Sequence, residues 1–341
     1  MIAYTLGLAA LFSSAFASQN ADNTALVDLS VNGGAPQHLA SGAIYGVPNT
    51  PGQIPDKFFE NMGYNYGRSG GGQLSEGGWI EGLAAYQARF ASAMENYRVA
   101  RQFGGDFILL PHDLWGTDHA NSSTLWPGDN GDWKDYENFL TQVFNDLKFN
   151  DMLDGMVYDI WNEPDGGFFW KRSEAQYLEM WDRTYRKIRS DSSLNNMQIT
   201  GPSAATPPGT GNAWWVSFVK NMVANKTVPD WYSWHEEPGD LDVDLPNLDT
   251  LLADQNAPRR PININEYGAF SQQVPAGTAW YISRLERWNA NGLRGNWVGT
   301  ALFVHALSPL FSLVERPLQL PAHSRSLILK TYMVLIPSIA R

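Results

Sequence analysis

Along the chain, short runs of apolar, β-branched or aromatic residues alternate with longer stretches in which apolar positions recur every three to four residues. The first pattern suits a strand buried on both faces, the second a helix buried on one. Gly, Pro, Asn and His gather where the runs end, as loop backbone requires. The pattern predicts strands at 42–46, 64–68, 107–110, 155–161, 197–201, 231–235, 261–265 and 293–297. Helices are predicted between them at 55–61, 83–103, 133–147, 174–190, 213–224, 248–254 and 278–291. Strand and helix alternating in this order over about 250 residues is the signature of an α/β fold, the (β/α)8 TIM barrel. A doubly wound open sheet is the rival, but it usually carries a Gly-rich dinucleotide turn after its first strand, and no such turn stands there.

Both ends of the chain depart from this rhythm. Residues 1–17, MIAYTLGLAALFSSAFA, hold a short apolar run closed by Ala15-Phe16-Ala17. A small-x-small ending of this kind is read as a secretory signal peptide cut before Ser18, since the run is too short to span a bilayer. Sequons at Asn121 and Asn225 fit an export route that makes a glycoprotein. At the other end, residues 301–341 contain no Gly, Trp, Asp or Asn, yet nine Leu and four Pro. Those prolines would interrupt any long closing helix. The catalytic barrel is therefore expected over 18–297, and 298–341 is expected to be an atypical tail of non-native sequence, such as a retained intron, that leaves the eighth βα unit incomplete.

Composition narrows the class of function. The chain has 341 residues, 43% of them apolar, and a formal net charge of −11, which opposes binding to nucleic acid or to an anionic membrane. With no cysteine, thiolate nucleophiles, iron–sulfur clusters and Cys-based zinc sites are excluded. Fourteen Trp and 14 Tyr supply many flat rings with a polar edge, suited to stacking on a ligand as well as to packing.

The candidate chemistry sits at strand ends. Asn162-Glu163-Pro164 follows the fourth predicted strand, and Asn265-Glu266-Tyr267-Gly268 ends the seventh. Carboxylates leaving the C-terminal ends of barrel strands point into the site this fold uses, and two about 5 Å apart can act as nucleophile and acid/base of a retaining glycosidase. The acid/base is expected to have a raised pKa, and the nucleophile to be held ionised by donors such as Arg68 and a nearby Tyr or His. Trp115 and Trp170, in the loops after strands three and four, are candidate sugar platforms.

These two motifs, with Arg68 at the end of strand two, resemble the clan A glycoside hydrolases, and within them family 39 and its fungal relatives most. The resemblance covers residues 42–297. It implies a retaining O-glycoside hydrolase acting on β-glycosidic bonds of a cell-wall polysaccharide or oligosaccharide, with Glu163 as acid/base and Glu266 as nucleophile. It further implies that Asn162 binds the sugar 2-hydroxyl and that Arg68 holds the nucleophile ionised. His112, His235 and Tyr267 would contribute sugar-binding or nucleophile-orienting groups, and Trp297 a platform under the sugar. This mechanism requires no cofactor and no metal. The expected partner is a carbohydrate, and the expected enzyme a secreted, extracellular monomer.

Other readings rest on thinner patterns. Gly67-Arg68-Ser69-Gly70-Gly71 matches the G-x-S-x-G elbow of serine esterases, with Ser69 as nucleophile, but a glycine-rich loop follows where a helix should begin. His112-Asp113 and His235-Glu236-Glu237 lack any fixed metal-ligand spacing. A catalytically inactive sugar-binding barrel, or a misread gene product, is the non-enzymatic alternative. Sequencing the mature transcript checks the tail: an open reading frame that departs from the present one near Val298 is the expected outcome, and read-through of the same residues defeats it.

Overall fold

A computed structural model describes Ser30, residues 34–45, Val47, Asn49 and residues 52–295. The expectations for residues 1–17, for 298–341 and for Trp297 lie outside these. Contacts divide the chain between Ala35 and Pro36, and the fold is that of the second unit.

Eight parallel strands close into a barrel: β1 (Gly42–Ile44), β2 (Tyr66–Ser69), β3 (Asp106–Leu109), β4 (Met156–Asp159), β5 (Gln198–Ala204), β6 (Trp231–Glu236), β7 (Ile262–Tyr267) and β8 (Ala290–Gly295). The helices are α1 (Asp56–Met62), α2 (Leu83–Gln102), α3 (Pro111–Trp115), α4 (Lys134–Phe149), α5 (Glu174–Ser190), α6 (Ala213–Asn225), α7 (Leu241–Asp254) and α8 (Pro275–Trp288). The (β/α)8 reading therefore holds: β8 pairs with β7 and, through Gly42↔Leu293, Ala43↔Arg294 and Ile44↔Gly295, with β1, which closes the barrel. The helix expected to be incomplete after β8 lies outside the described residues.

Local chemistry sets the element ends. Ser173, Asn212 and Asp240 accept backbone N–H groups at the starts of α5, α6 and α7, satisfying donors that have no partner inside the helix. Two elements differ from the pattern. Helix α7 begins at Leu241, seven residues before the predicted 248, even though Pro246 lies within it. A proline inside a helix removes one hydrogen bond; here the Asp240 cap and the buried Leu241 and Leu245 offset that loss. Strand β8 starts at Ala290, three residues before the predicted 293, because Asn289 ends α8 in a left-handed conformation and pairing with Ile262 begins at the next residue. Its polar start hid it from an apolar-run criterion.

Alternation along each strand sorts the side chains into two cores. Outward-facing residues such as Phe107, Tyr158, Ile199, Trp234 and Ile264 pack against the helices in one large cluster. Inside the barrel, Ile108, Val157 and Leu293 meet across from different strands, flanked by Tyr66 and Trp231. This apolar layer plugs the lumen, and polar side chains lie above it at the strands' C-terminal ends.

Gly201 on β5 faces outward against the ring of Trp181 on α5, and a Cβ there would overlap that ring. Gly201→Val is expected to destabilise the fold by roughly 1–3 kcal/mol, as overpacked cores do, and to lower the thermal midpoint by several degrees. Thermal unfolding followed by circular dichroism measures it.

Candidate active site

The site is built on a buried arginine. Arg68, on β2, points into the lumen above the apolar plug and is 1% exposed, so its charge must be compensated from within. Its Nη2 donates to Asp159 Oδ2 of β4 at 2.8 Å and to Asn162 Oδ1 at 2.7 Å, its Nε donates to Asp159 Oδ2 at 3.1 Å, and its Nη1 donates to Glu266 Oε1 at 2.7 Å. Burial opposes the charge on Arg68, but Asp159 and Glu266 hold its pKa above the ordinary value. Burial raises Asp159 despite the opposing pull of Arg68 and of a hydrogen bond from Ser203.

Two irregularities aim the ligating side chains. The pairing of β7 with β6 and β8 slips at Asn265 and Glu266, so that these consecutive residues both reach inward. Asn265 Nδ2 donates to Asp159 Oδ2 at 3.0 Å and to Ser203 Oγ at 2.6 Å, while Glu266 meets Arg68. A regular strand would send one of the two to the outer face. On β5 the register shifts between Pro202 and Ala204, and Ser203 takes a φ of 54°. Its carbonyl accepts the N–H of Glu163 at 2.9 Å. Glu163 itself has a φ of 43°, in the left-handed region that costs a non-glycine residue energy and concentrates at functional sites.

His235, on β6, stands between the two glutamates. Its Nδ1 is 2.9 Å from Glu163 Oε1 and its Nε2 is 3.7 Å from Glu266 Oε1. One ligating atom from each of Glu163, His235 and Glu266 lies within 4.8 Å of the others. These three are also the group, among the described residues, spaced to ligate one divalent cation. Burial pushes the His235 pKa down, but Glu266 and the Glu163 hydrogen bond raise it above the ordinary value. Burial pushes Glu163 up, yet His235, through its hydrogen bond and its charge, brings it below the usual value. The expected raised pKa of Glu163 is thus corrected: its partner His235 lowers it.

The remaining candidates separate into those at the mouth and those behind it. His112, at the start of α3 and fully buried, lies edge-on to Phe169 with ring centroids 5.1 Å apart. Its Nδ1 has no hydrogen-bond partner, and its Nε2 lies 3.1 Å from Asp113 Oδ1 without hydrogen-bond alignment. Burial and the nearby Arg68 push its pKa down to about 3, so it is a neutral ring with polar atoms to offer. Asp113, raised by burial to about 6, accepts the hydroxyl of Tyr45.

Trp115 packs edge-on against Phe139, and Trp170 packs against Trp126 and Trp161, both almost wholly buried. The structure therefore sets both in the aromatic core rather than on an open platform. Tyr267 follows Glu266 but faces outward, donating to Ala40 O at 2.7 Å. Ser69 also faces out, its Oγ donating to Asn96 Oδ1 on α2, which removes it from the barrel mouth. Pattern reading gave no role to Asp159, Ser203 and Asn265, whose signal was a polar residue at an inward position of a strand.

Arg68→Leu is expected to cost about 3–5 kcal/mol, because it leaves Asp159 buried and uncompensated. Adding Asp159→Leu should recover part of that loss, and denaturant unfolding of the single and double variants measures the coupling.

No protein-family model matches the chain. A β-xylosidase from Geobacillus stearothermophilus is 24% identical over 212 residues, covering 53% of this chain and 41% of that protein. Among solved structures, N2152 from Neocallimastix frontalis superposes with a TM-score of 0.60 at 22% identity, covering 77% of this chain and 62% of that one. A GH39 β-xylosidase from Caulobacter crescentus gives 0.53 at 16% identity, covering 77% and 63%. The chain thus spans less than two thirds of the length of each of these proteins. In sequence and in fold it resembles the clan A glycoside hydrolases, family 39 among them.

Proposed function

We propose that the protein is a retaining β-glycoside hydrolase of plant or microbial cell-wall saccharides, with Glu266 as nucleophile and Glu163 as acid/base. The observation that carries this reading is the placing of Glu163, His235 and Glu266 within 4.8 Å of one another at the barrel mouth. Retaining enzymes hold their two carboxyl groups about 5–5.5 Å apart, whereas inverting enzymes need room for a water between them.

The roles follow from the hydrogen bonds. Glu266 accepts from Arg68, which aims it for attack on the anomeric carbon. Attack forms the glycosyl-enzyme ester while Glu163 protonates the departing oxygen. The proton comes from the His235–Glu163 pair, which holds one proton between imidazole and carboxylate. Once Glu266 is esterified its charge is gone, and Glu163 takes a proton from the water that cleaves the ester. Asn162, fixed by Arg68, and the open nitrogens of His112 would bind sugar hydroxyls. The 1–17 segment supports export, and no described helix is long and apolar enough to cross a membrane.

Four outcomes are expected. Nuclear magnetic resonance of the first product should show retained β configuration, and an inverted product would defeat the mechanism. Glu163→Ala should lower kcat on poor leaving groups on the order of 10²- to 10⁴-fold with partial rescue by azide, whereas Glu266→Ala should lose turnover on every substrate. The pH profile of kcat/KM should keep its alkaline limb above 6.5, the ordinary histidine value, because His235 is raised and its proton is lost only as pH climbs through that higher value. His235→Asn should move this limb to lower pH, since a lone Glu163 gives up its proton sooner than the pair does.

A further inference from the structure

A third carboxyl group reaches this site, and neither the mechanism above nor the resemblance uses it. Glu237 follows β6 directly. Along that strand Ser233 and His235 turn inward, while Trp234 packs outward near Trp215 of α6 and Glu236 is held outside by the indole N–H of Trp234 at 2.7 Å. Continuing the alternation sends Glu237 to the same side as His235. The charges that act on it agree with that placing: Glu266 from β7, His235 from β6, Glu163 from the loop after β4 and Arg68 from β2. Tyr281 of α8 also lies within its field.

Its Oε1 is buried and, among the described residues, makes no hydrogen bond. A buried polar atom without a partner is costly, and it persists mainly where a ligand completes it. Arg68 cannot supply the partner, since its three nitrogens already serve Asp159, Asn162 and Glu266.

Resting on the glycosidase reading, we propose that Glu237 is a substrate-contacting residue whose Oε1 pairs with a hydroxyl of an uncharged sugar held between Glu163 and Glu266. A hydroxyl suits this position because it donates to a carboxylate or accepts from a carboxylic acid. A sugar carboxylate would instead meet three acidic side chains.

Aryl β-xylosides and β-glucosides, together with analogues each lacking one ring hydroxyl, test the proposal on the full chain with Glu237→Leu and Glu237→Gln. Both variants should melt with the wild type. Glu237→Leu should lower kcat/KM about 10- to 100-fold, as removal of one buried hydrogen-bond partner does, while Glu237→Gln retains most of it. The analogue lacking the paired hydroxyl should be poor for the wild type and lose nothing further in Glu237→Leu. An active wild type with every analogue equally affected in all three proteins overturns the role of Glu237 alone. A wild type that hydrolyses none of the panel overturns the glycosidase reading and Glu237 with it.

Discussion

A positive charge sealed inside the barrel governs the rest of this site. Arg68 is cut off from solvent above the apolar plug of Ile108, Val157 and Leu293, so every polar contact it needs must come from strand ends. Asp159 supplies the permanent counter-charge from across the barrel, and Glu266 supplies a second. Asp159 in turn needs donors, which explains why Ser203 and Asn265 converge on it and why β5 and β7 break their register to bring them there. The geometry of the candidate nucleophile is thus a consequence of neutralising one guanidinium. A buried pair of this kind adds little net stability, so its value lies in fixing one arrangement of side chains.

The second constraint is the close approach of Glu163, His235 and Glu266. Two carboxylates this close repel, and an imidazole between them relieves the repulsion by carrying the proton itself. This changes the expected division of labour. A lone acid/base glutamate needs a raised pKa to stay protonated, whereas here His235 lowers that of Glu163 and carries a raised one itself.

The aromatic residues show how composition misleads about location. A chain with 14 Trp invites the idea of stacked sugars, yet Trp115, Trp161, Trp170, Trp181, Trp215 and Trp234 are all buried. They fill the wide gaps between a small barrel and its ring of helices, where large rings close space that aliphatic side chains would leave open. Several satisfy their indole N–H on a backbone carbonyl, as Trp161 does on Phe169 and Trp181 on Thr227. Ring chemistry alone does not distinguish a platform from a core residue.

What the amino-acid order determined by itself was the alternation of elements, and with it the barrel. Periodicity is a local property, and a parallel β/α alternation of this length has few ways to close. Asn162-Glu163 and Glu266 were legible for the same reason: each marks the polar end of an apolar strand, where this fold puts its chemistry. Only the tertiary structure decided that Tyr267 turns away while Asn265 and Glu266 both turn in, because a bulge arises from pairing with neighbouring strands and leaves no mark in local sequence. It also decided that Glu163 and His235 share a hydrogen bond, because partners 72 residues apart in the chain meet only when the barrel closes.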